Sequence, residues 1–107
     1  MTPDLAHLPN ETSRLLDSPD LRRIATRLCW WLSPEEALDR LPLFLAQVMT
    51  LGTWEDVQIV RGALGEQAFR QTLSDAPPGI FDTLSWNYWH KVFGLKPVPP
   101  LPKRRLP

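Results

Sequence analysis

The sequence has little cysteine, little glycine and no excess charge of either sign, and each shortage excludes a class of protein. Cys29 is the one cysteine among 107 residues, so the chain alone cannot form an intramolecular disulfide or a zinc site held by several thiolates. Twelve basic and twelve acidic side chains give a formal net charge of zero, which removes the basic excess typical of non-specific nucleic-acid binding. The five glycines do not form a phosphate-binding loop.

Long apolar runs are missing as well. The longest, from Leu41 to Leu51, is interrupted by Gln47 and Thr50 and falls short of the length needed to cross a membrane. The N-terminal residues lack the basic start and apolar core of a secretory signal. The single thiol lies in an apolar helical run beside Trp30, where a small buried side chain is expected. We therefore expect a cytoplasmic protein without a membrane-spanning segment.

Groups that could carry catalysis are equally sparse. His7 lies in an irregular N-terminal stretch, and His90 lies in an aromatic one. Asp82, Ser85 and His90 share one predicted helix, but Asp82 is better explained as the residue that caps it. Histidines and carboxylates are not clustered at the spacings of metal ligands. We predict no catalytic residue, no metal site and no cofactor, and an enzyme that uses His90 with a nearby acid is the least favoured alternative.

What the sequence does contain is a series of helix start and stop signals. Residues 18–20, 33–36 and 53–56 each combine a capping serine or threonine with acidic residues in the first helical turn. Gly52 and Gly65 are placed to stop helices, and Gly52 is expected to do so in a left-handed conformation. Apolar residues recur at helical spacing between these signals, whereas strand-like alternation of useful length does not occur. The pattern predicts an all-α protein.

The chain is predicted to form a single compact domain of five or six short helices. Residues 1–17 carry two prolines and few apolar anchors, so they are expected to form an irregular N-terminal arm. Residues 18–95 form the helical domain. Residues 96–107 contain five prolines, which predicts an extended, proline-rich and basic C-terminal tail close to polyproline II geometry.

Aromatic residues concentrate in the segment from Phe81 to Leu95, which holds two of the five tryptophans and the single tyrosine. We predict that this segment is the last helix, capped by Asp82. The residues expected in its buried part are Tyr88, Trp89 and Phe93. The residues expected at its exposed edge are Trp86, Asn87 and His90. A tryptophan beside polar groups at an exposed edge is typical of an interface hot spot.

The other three tryptophans give a mixed pattern. Trp54 falls on an apolar stripe with Val57 and Val60 and is expected to be buried. Trp30 and Trp31 are adjacent, and adjacent residues of a helix point about 100° apart, so both cannot lie at the centre of one buried stripe. One of them is therefore expected to face a partner or the C-terminal tail.

The tail leaves three interpretations open. The run from Pro99 to Arg104 has the proline spacing and trailing base that aromatic-grooved modules recognise. Alternatively, the tail straps across its own domain with Leu95, Val98 and Leu101 as anchors, or it becomes ordered only on a partner. Its basic cluster is compatible with contacts to phosphates or to an acidic protein surface. The members of that cluster are Lys103, Arg104 and Arg105.

Several segments together resemble a known family. They are LAQVMTLGTWEDV at residues 45–57, GEQAFR at residues 65–70, APPGIFDTLSWNYWH at residues 76–90 and the closing PPLPKRRLP. They resemble small bacterial proteins encoded beside nucleotidyltransferase-like toxins of the AbiEii type, in which the small protein is taken as the antitoxin. The resemblance covers roughly residues 29–107. It rests on packing, capping and contact residues rather than on a catalytic motif.

The resemblance implies a non-enzymatic helical protein that binds and restrains a larger partner with a nucleotidyltransferase fold. The partner contacts expected in this chain lie on the last helix and the tail. They are Trp86, Trp89, His90, Pro99, Pro100, Pro102, Lys103, Arg104 and Arg105. A small DNA-binding transcriptional regulator is the main alternative, although a basic recognition helix is not evident. Association of the chain with itself is left open.

Overall fold

The computed structural model describes residues 14–103. Six helices lie wholly within this range, and residues 14–16 are helical as well. The six are α1 (Pro19–Leu28), α2 (Pro34–Asp39), α3 (Leu41–Leu51), α4 (Trp54–Leu64), α5 (Glu66–Ser74) and α6 (Thr83–Val92). The described residues contain no strand, which confirms the predicted all-α class. None of the helices in this range has the length and apolar character needed to span a membrane.

The local sequence sets where the helices begin, as predicted. Ser18 caps α1, and its side-chain oxygen accepts a hydrogen bond from a backbone N–H of the first turn. Ser33 with Glu36, and Thr53 with Asp56, form reciprocal capping boxes at the starts of α2 and α4. These bonds satisfy backbone donors that a helix start leaves unpaired. The backbone hydrogen bond from Ser33 lowers the pKa of the Glu36 carboxyl.

Helix α3 is the centre of the domain and contacts each of the other five helices. Its buried residues lie around most of its circumference, which is the pattern of a helix surrounded by others. Gln47 is the polar member of this set. Its Nε2 donates a 2.7 Å hydrogen bond to the carbonyl oxygen of Leu28 at the end of α1. The buried amide is therefore satisfied, and it fixes α3 to the end of α1.

Gly52 ends α3 in a different way from the predicted one. Its φ of −68° and ψ of 153° are extended rather than left-handed. Steric crowding explains why glycine stands here, because a Cβ at this position would lie 2.6 Å from the backbone oxygen of Val48. Gly65, which ends α4, has a φ of 87°, and glycine adopts this conformation without strain.

The folded part extends beyond the predicted domain limits of 18 and 95. Residues 14–16 are helical, and Leu15 is buried in the core. At the other end, Leu101 packs partly buried against the same core. Residues 1–13, most of the predicted N-terminal arm, lie outside the described range, as do residues 104–107.

Candidate functional site

Helix α6 buries the side that carries Trp86, Trp89 and His90. Trp89 reaches deepest, because its Nε1 donates a 2.8 Å hydrogen bond to the carbonyl oxygen of Met49 near the end of α3. Its ring also packs against Phe69 of α5, with the ring centroids 5.6 Å apart. An indole can be buried at low cost only when its N–H has an acceptor, and Met49 supplies one here. Trp89 therefore belongs to the core rather than to an open surface.

The orientation of α6 overturns three of the predicted assignments. Trp86 and His90, expected at the exposed edge, are each only 3% exposed. Tyr88, expected in the core, is 51% exposed and shares the outer face of α6 with Leu84 and Val92. Residues four apart share one face of a helix, so burial of residues 86 and 90 turns residues 84, 88 and 92 outward. The spacing of this outer stripe was visible in the sequence, but its exposure was not.

His90 occupies a packed and hydrogen-bonded position. Its Nδ1 lies 2.7 Å from the carbonyl oxygen of Trp86. A carbonyl oxygen only accepts, so Nδ1 carries the proton of this bond. The two rings also touch, with centroids 4.3 Å apart and planes at 62°. This environment explains His90 as a residue that fixes the Trp86 ring, instead of an exposed contact for a partner.

The proline-rich tail lies against α6. Trp86 Nε1 donates a 2.8 Å hydrogen bond to the carbonyl oxygen of Pro99. The backbone N–H of Gly79 donates to the carbonyl oxygen of Pro102 at 3.4 Å. Of the three interpretations of the tail, the described residues therefore follow the intramolecular strap.

The anchors of this strap differ in part from the predicted ones. Leu95 and Leu101 pack partly buried against the core as expected, whereas Val98 is exposed. Among the predicted partner contacts in the tail, Pro99, Pro100 and Lys103 are exposed and Pro102 is half-buried. Arg104 and Arg105 lie outside the described residues.

The remaining tryptophans are at the surface. Trp54, expected to be buried, is 64% exposed because it is the first residue of α4, while Val57 and Val60 carry that helix into the core. Trp30 and Trp31 are both exposed, since α1 ends at Leu28 and they lie in the link to α2. Their rings meet edge to face with centroids 5.8 Å apart.

The helix ends next to these three surface tryptophans are joined by an ion pair. Arg27, in the last turn of α1, forms an ion pair with Asp56, in the first turn of α4. Trp30 is three residues beyond Arg27 in the chain, and Trp54 is two residues before Asp56. We call this region, comprising Trp30, Trp31 and Trp54, the tryptophan junction.

The arginines of α1 do not form an unbalanced basic surface. All three are paired with acids: Arg22 with Glu35 at 3.5 Å, Arg23 with Asp20 at 2.9 Å, and Arg27 with Asp56. Paired guanidinium groups create little net positive potential for steering a phosphate backbone. This face therefore gives the DNA-binding alternative no support.

Cys29 lies at the buried side of the same junction. Its thiol is fully buried, and burial raises the pKa of the Cys29 thiol to about 11. A thiol of this kind is mostly protonated at neutral pH and reacts slowly as a nucleophile. The predicted role of Cys29 as a small buried side chain is confirmed.

Comparisons of this chain with protein-family models, with curated proteins and with solved structures find no match. Within residues 14–103, no group of three or more histidine, cysteine, aspartate and glutamate side chains is placed to hold a metal ion. The features that carry a functional argument are thus the tryptophan junction, the outer face of α6 and the contact between α6 and the tail.

Proposed function

We propose that this protein is a non-enzymatic binding protein that docks on a protein partner through the tryptophan junction. The observation that supports the proposal is the exposure of its indoles, which reaches 78% at Trp30 and 64% at Trp54. Tryptophan is highly buried on average in folded proteins and is enriched in interface hot spots. Burial of these rings against a partner removes apolar area from water, which favours association.

The class of partner comes from the sequence resemblance. Small proteins with segments like residues 45–57 and 76–90 are encoded beside nucleotidyltransferase-like toxins of the AbiEii type. On this proposal the chain is antitoxin-like, works in the cytoplasm, and restrains such a toxin by binding it. Lys103 is exposed, and with Arg104 and Arg105 it supplies basic charge that steers the encounter towards acidic groups of the toxin.

Co-expression with the product of the neighbouring gene, followed by affinity capture, tests the proposal. The double variant Trp30→Ala/Trp31→Ala and the single variant Trp54→Ala are each expected to weaken capture at least about tenfold, as hot-spot truncations do. Leu84→Ala, at an exposed apolar position of α6 outside the junction, is the matched control and should leave capture unchanged. Capture of the toxin equally well by wild type and both tryptophan variants contradicts this docking surface.

A further inference from the structure

Two backbone carbonyls of the tail, three residues apart, accept hydrogen bonds from the domain. The carbonyl oxygens of Pro99 and Pro102 accept hydrogen bonds from Trp86 Nε1 and from the backbone N–H of Gly79. A polyproline II helix has three residues per turn, so carbonyls three residues apart point to the same side. The domain therefore contacts one edge of an extended, proline-rich segment.

The tail contacts Trp86, the middle member of a row of three rings. The Phe81 and Trp86 rings lie with centroids 5.4 Å apart, and the Trp86 and His90 rings with centroids 4.3 Å apart. A polyproline II segment has unpaired carbonyls and flat apolar proline rings. Aromatic grooves suit such segments, because the rings pack on the prolines while a donor satisfies a carbonyl. We call the surface of Phe81, Trp86 and His90 the aromatic groove.

Open space remains beside the tail at the His90 end of the groove. A cleft of about 290 Å³ is lined there by His90, by Leu73 and Ser74 of α5, and by Leu95, Lys96, Pro97 and Pro99. Pro99 and Pro100 are exposed, and the bond from Gly79 is long at 3.4 Å. The tail is therefore held less firmly than the helices, which pack against one another through buried side chains.

We propose that the aromatic groove is a binding site for proline-rich segments of a protein partner, and that residues 95–103 occupy it in the free protein. The partner segment takes the place of the tail, offering two backbone carbonyls three residues apart and an apolar side chain between them. This inference rests on the proposed function only in that the ligand belongs to a protein. A tethered tail competes at an effective concentration of about millimolar, so binding in trans is weak until the tail is loosened.

The test uses the full chain and a synthetic peptide, LKPVPPLPK, which reproduces residues 95–103. Leu101→Asp places a charge at a partly buried tail position and loosens the tail while leaving the three rings intact. Binding is measured for every variant by the fluorescence anisotropy of labelled peptide. It is located by NMR at the indole N–H of Trp86, whose signal is identified by its loss in Trp86→Phe. The peptide is expected to bind Leu101→Asp about tenfold more tightly than wild type, because competition from the tail is reduced.

Two controls separate the groove from general damage. In the Leu101→Asp background, Trp86→Phe keeps a ring but removes the donor and should abolish measurable binding, whereas Trp54→Phe changes an exposed indole outside the groove and should not. A peptide with alanine at the positions of Pro99, Pro100 and Pro102 should fail to bind. If Leu101→Asp folds poorly, Pro100→Gly at an exposed position is the second variant. Glycine raises the entropy of the released tail, so the affinity for the peptide should increase about threefold.

The outcomes distinguish this inference from the proposed function. Absence of peptide binding to both loosened variants overturns the aromatic groove as a peptide site, and so does equal binding of the alanine peptide. Neither result touches capture of the toxin through the tryptophan junction, which is measured separately. If the peptide binds but the toxin is not captured, the aromatic groove is supported and the proposed docking surface is contradicted.

Discussion

The two tryptophan-rich regions of this protein, the inner face of α6 and the tryptophan junction, have opposite relations to water. On α6, Trp86 and Trp89 are buried, and each indole N–H donates to a backbone carbonyl. At the junction, Trp30 and Trp54 carry similar rings but are mostly exposed. The difference shows that ring content alone does not decide burial. A tryptophan enters the core where the fold brings an acceptor to its N–H.

The largest change in stability is expected when one tryptophan of each region is truncated. Trp89→Ala should reduce the free energy of unfolding by about 3–5 kcal/mol, because it removes a buried ring and leaves the Met49 carbonyl unpaired. Trp54→Ala should change it by less than about 1 kcal/mol, as is usual for exposed positions. Urea unfolding measures both. Equal losses in the two variants would break the comparison.

A smaller effect is expected at Trp86, where the acceptor belongs to the tail. Trp86→Phe should cost about 1–2 kcal/mol, because the ring is mostly replaced and one hydrogen bond is lost. Loss of this bond should also speed hydrogen exchange at the backbone amide of Gly79, which donates to the tail carbonyl of Pro102. Exchange measured by NMR in wild type and variant checks this, with Tyr88→Phe on the outer face of α6 as the control. Unchanged exchange at Gly79 means that the Trp86 bond does not hold the tail.

The burial of Cys29, beside the tryptophan junction, can be tested through the pH dependence of the free energy of unfolding. Folding raises the thiol pKa from 9.0 to about 11, so above pH 9 the unfolded chain loses this proton more readily than the folded one. The stabilisation is fully present below pH 9 and is lost as the pH rises towards 11. Unfolding of wild type and Cys29→Ala between pH 8 and 11 should therefore show a steeper decline for wild type. Parallel curves would show that the Cys29 thiol is not shielded from water.

The smallest effect is expected on the outer face of α6. Tyr88→Glu replaces a half-exposed ring that packs edge to face on Trp89 and should change the free energy of unfolding by no more than about 1 kcal/mol. Thermal unfolding followed by circular dichroism is sufficient to measure it. A large loss of stability would place Tyr88 in the core, as the sequence first suggested, and would reverse the assignment of the two faces.

The parts of the fold that follow from neighbouring residues were predictable. Ser18, Ser33, Thr53 and Asp82 cap helices through bonds to residues three positions along the chain, so the sequence contains both partners of each bond. The same reasoning identifies the apolar face of α5, where Phe69, Thr72 and Leu73 are buried.

The candidate site was less predictable, because the orientation of α6 depends on distant residues. Both faces of α6 carry large side chains at helical spacing, so periodicity alone cannot choose between them. The acceptors that select the buried face, Met49 and Pro99, lie 40 and 13 residues away in the chain from the tryptophans they pair with. Trp54 was misassigned for a related reason. Its position at the start of α4 places it before the helix enters the core.

Asp56 links local and tertiary structure through a single carboxylate. It accepts the 2.8 Å hydrogen bond from the Thr53 backbone that completes the cap of α4, and it also pairs with Arg27 of α1. The start of α4 and the docking of α1 therefore depend on the same group. This sharing favours cooperative opening, in which α1 and the first turn of α4 are lost together as one unit of unfolding.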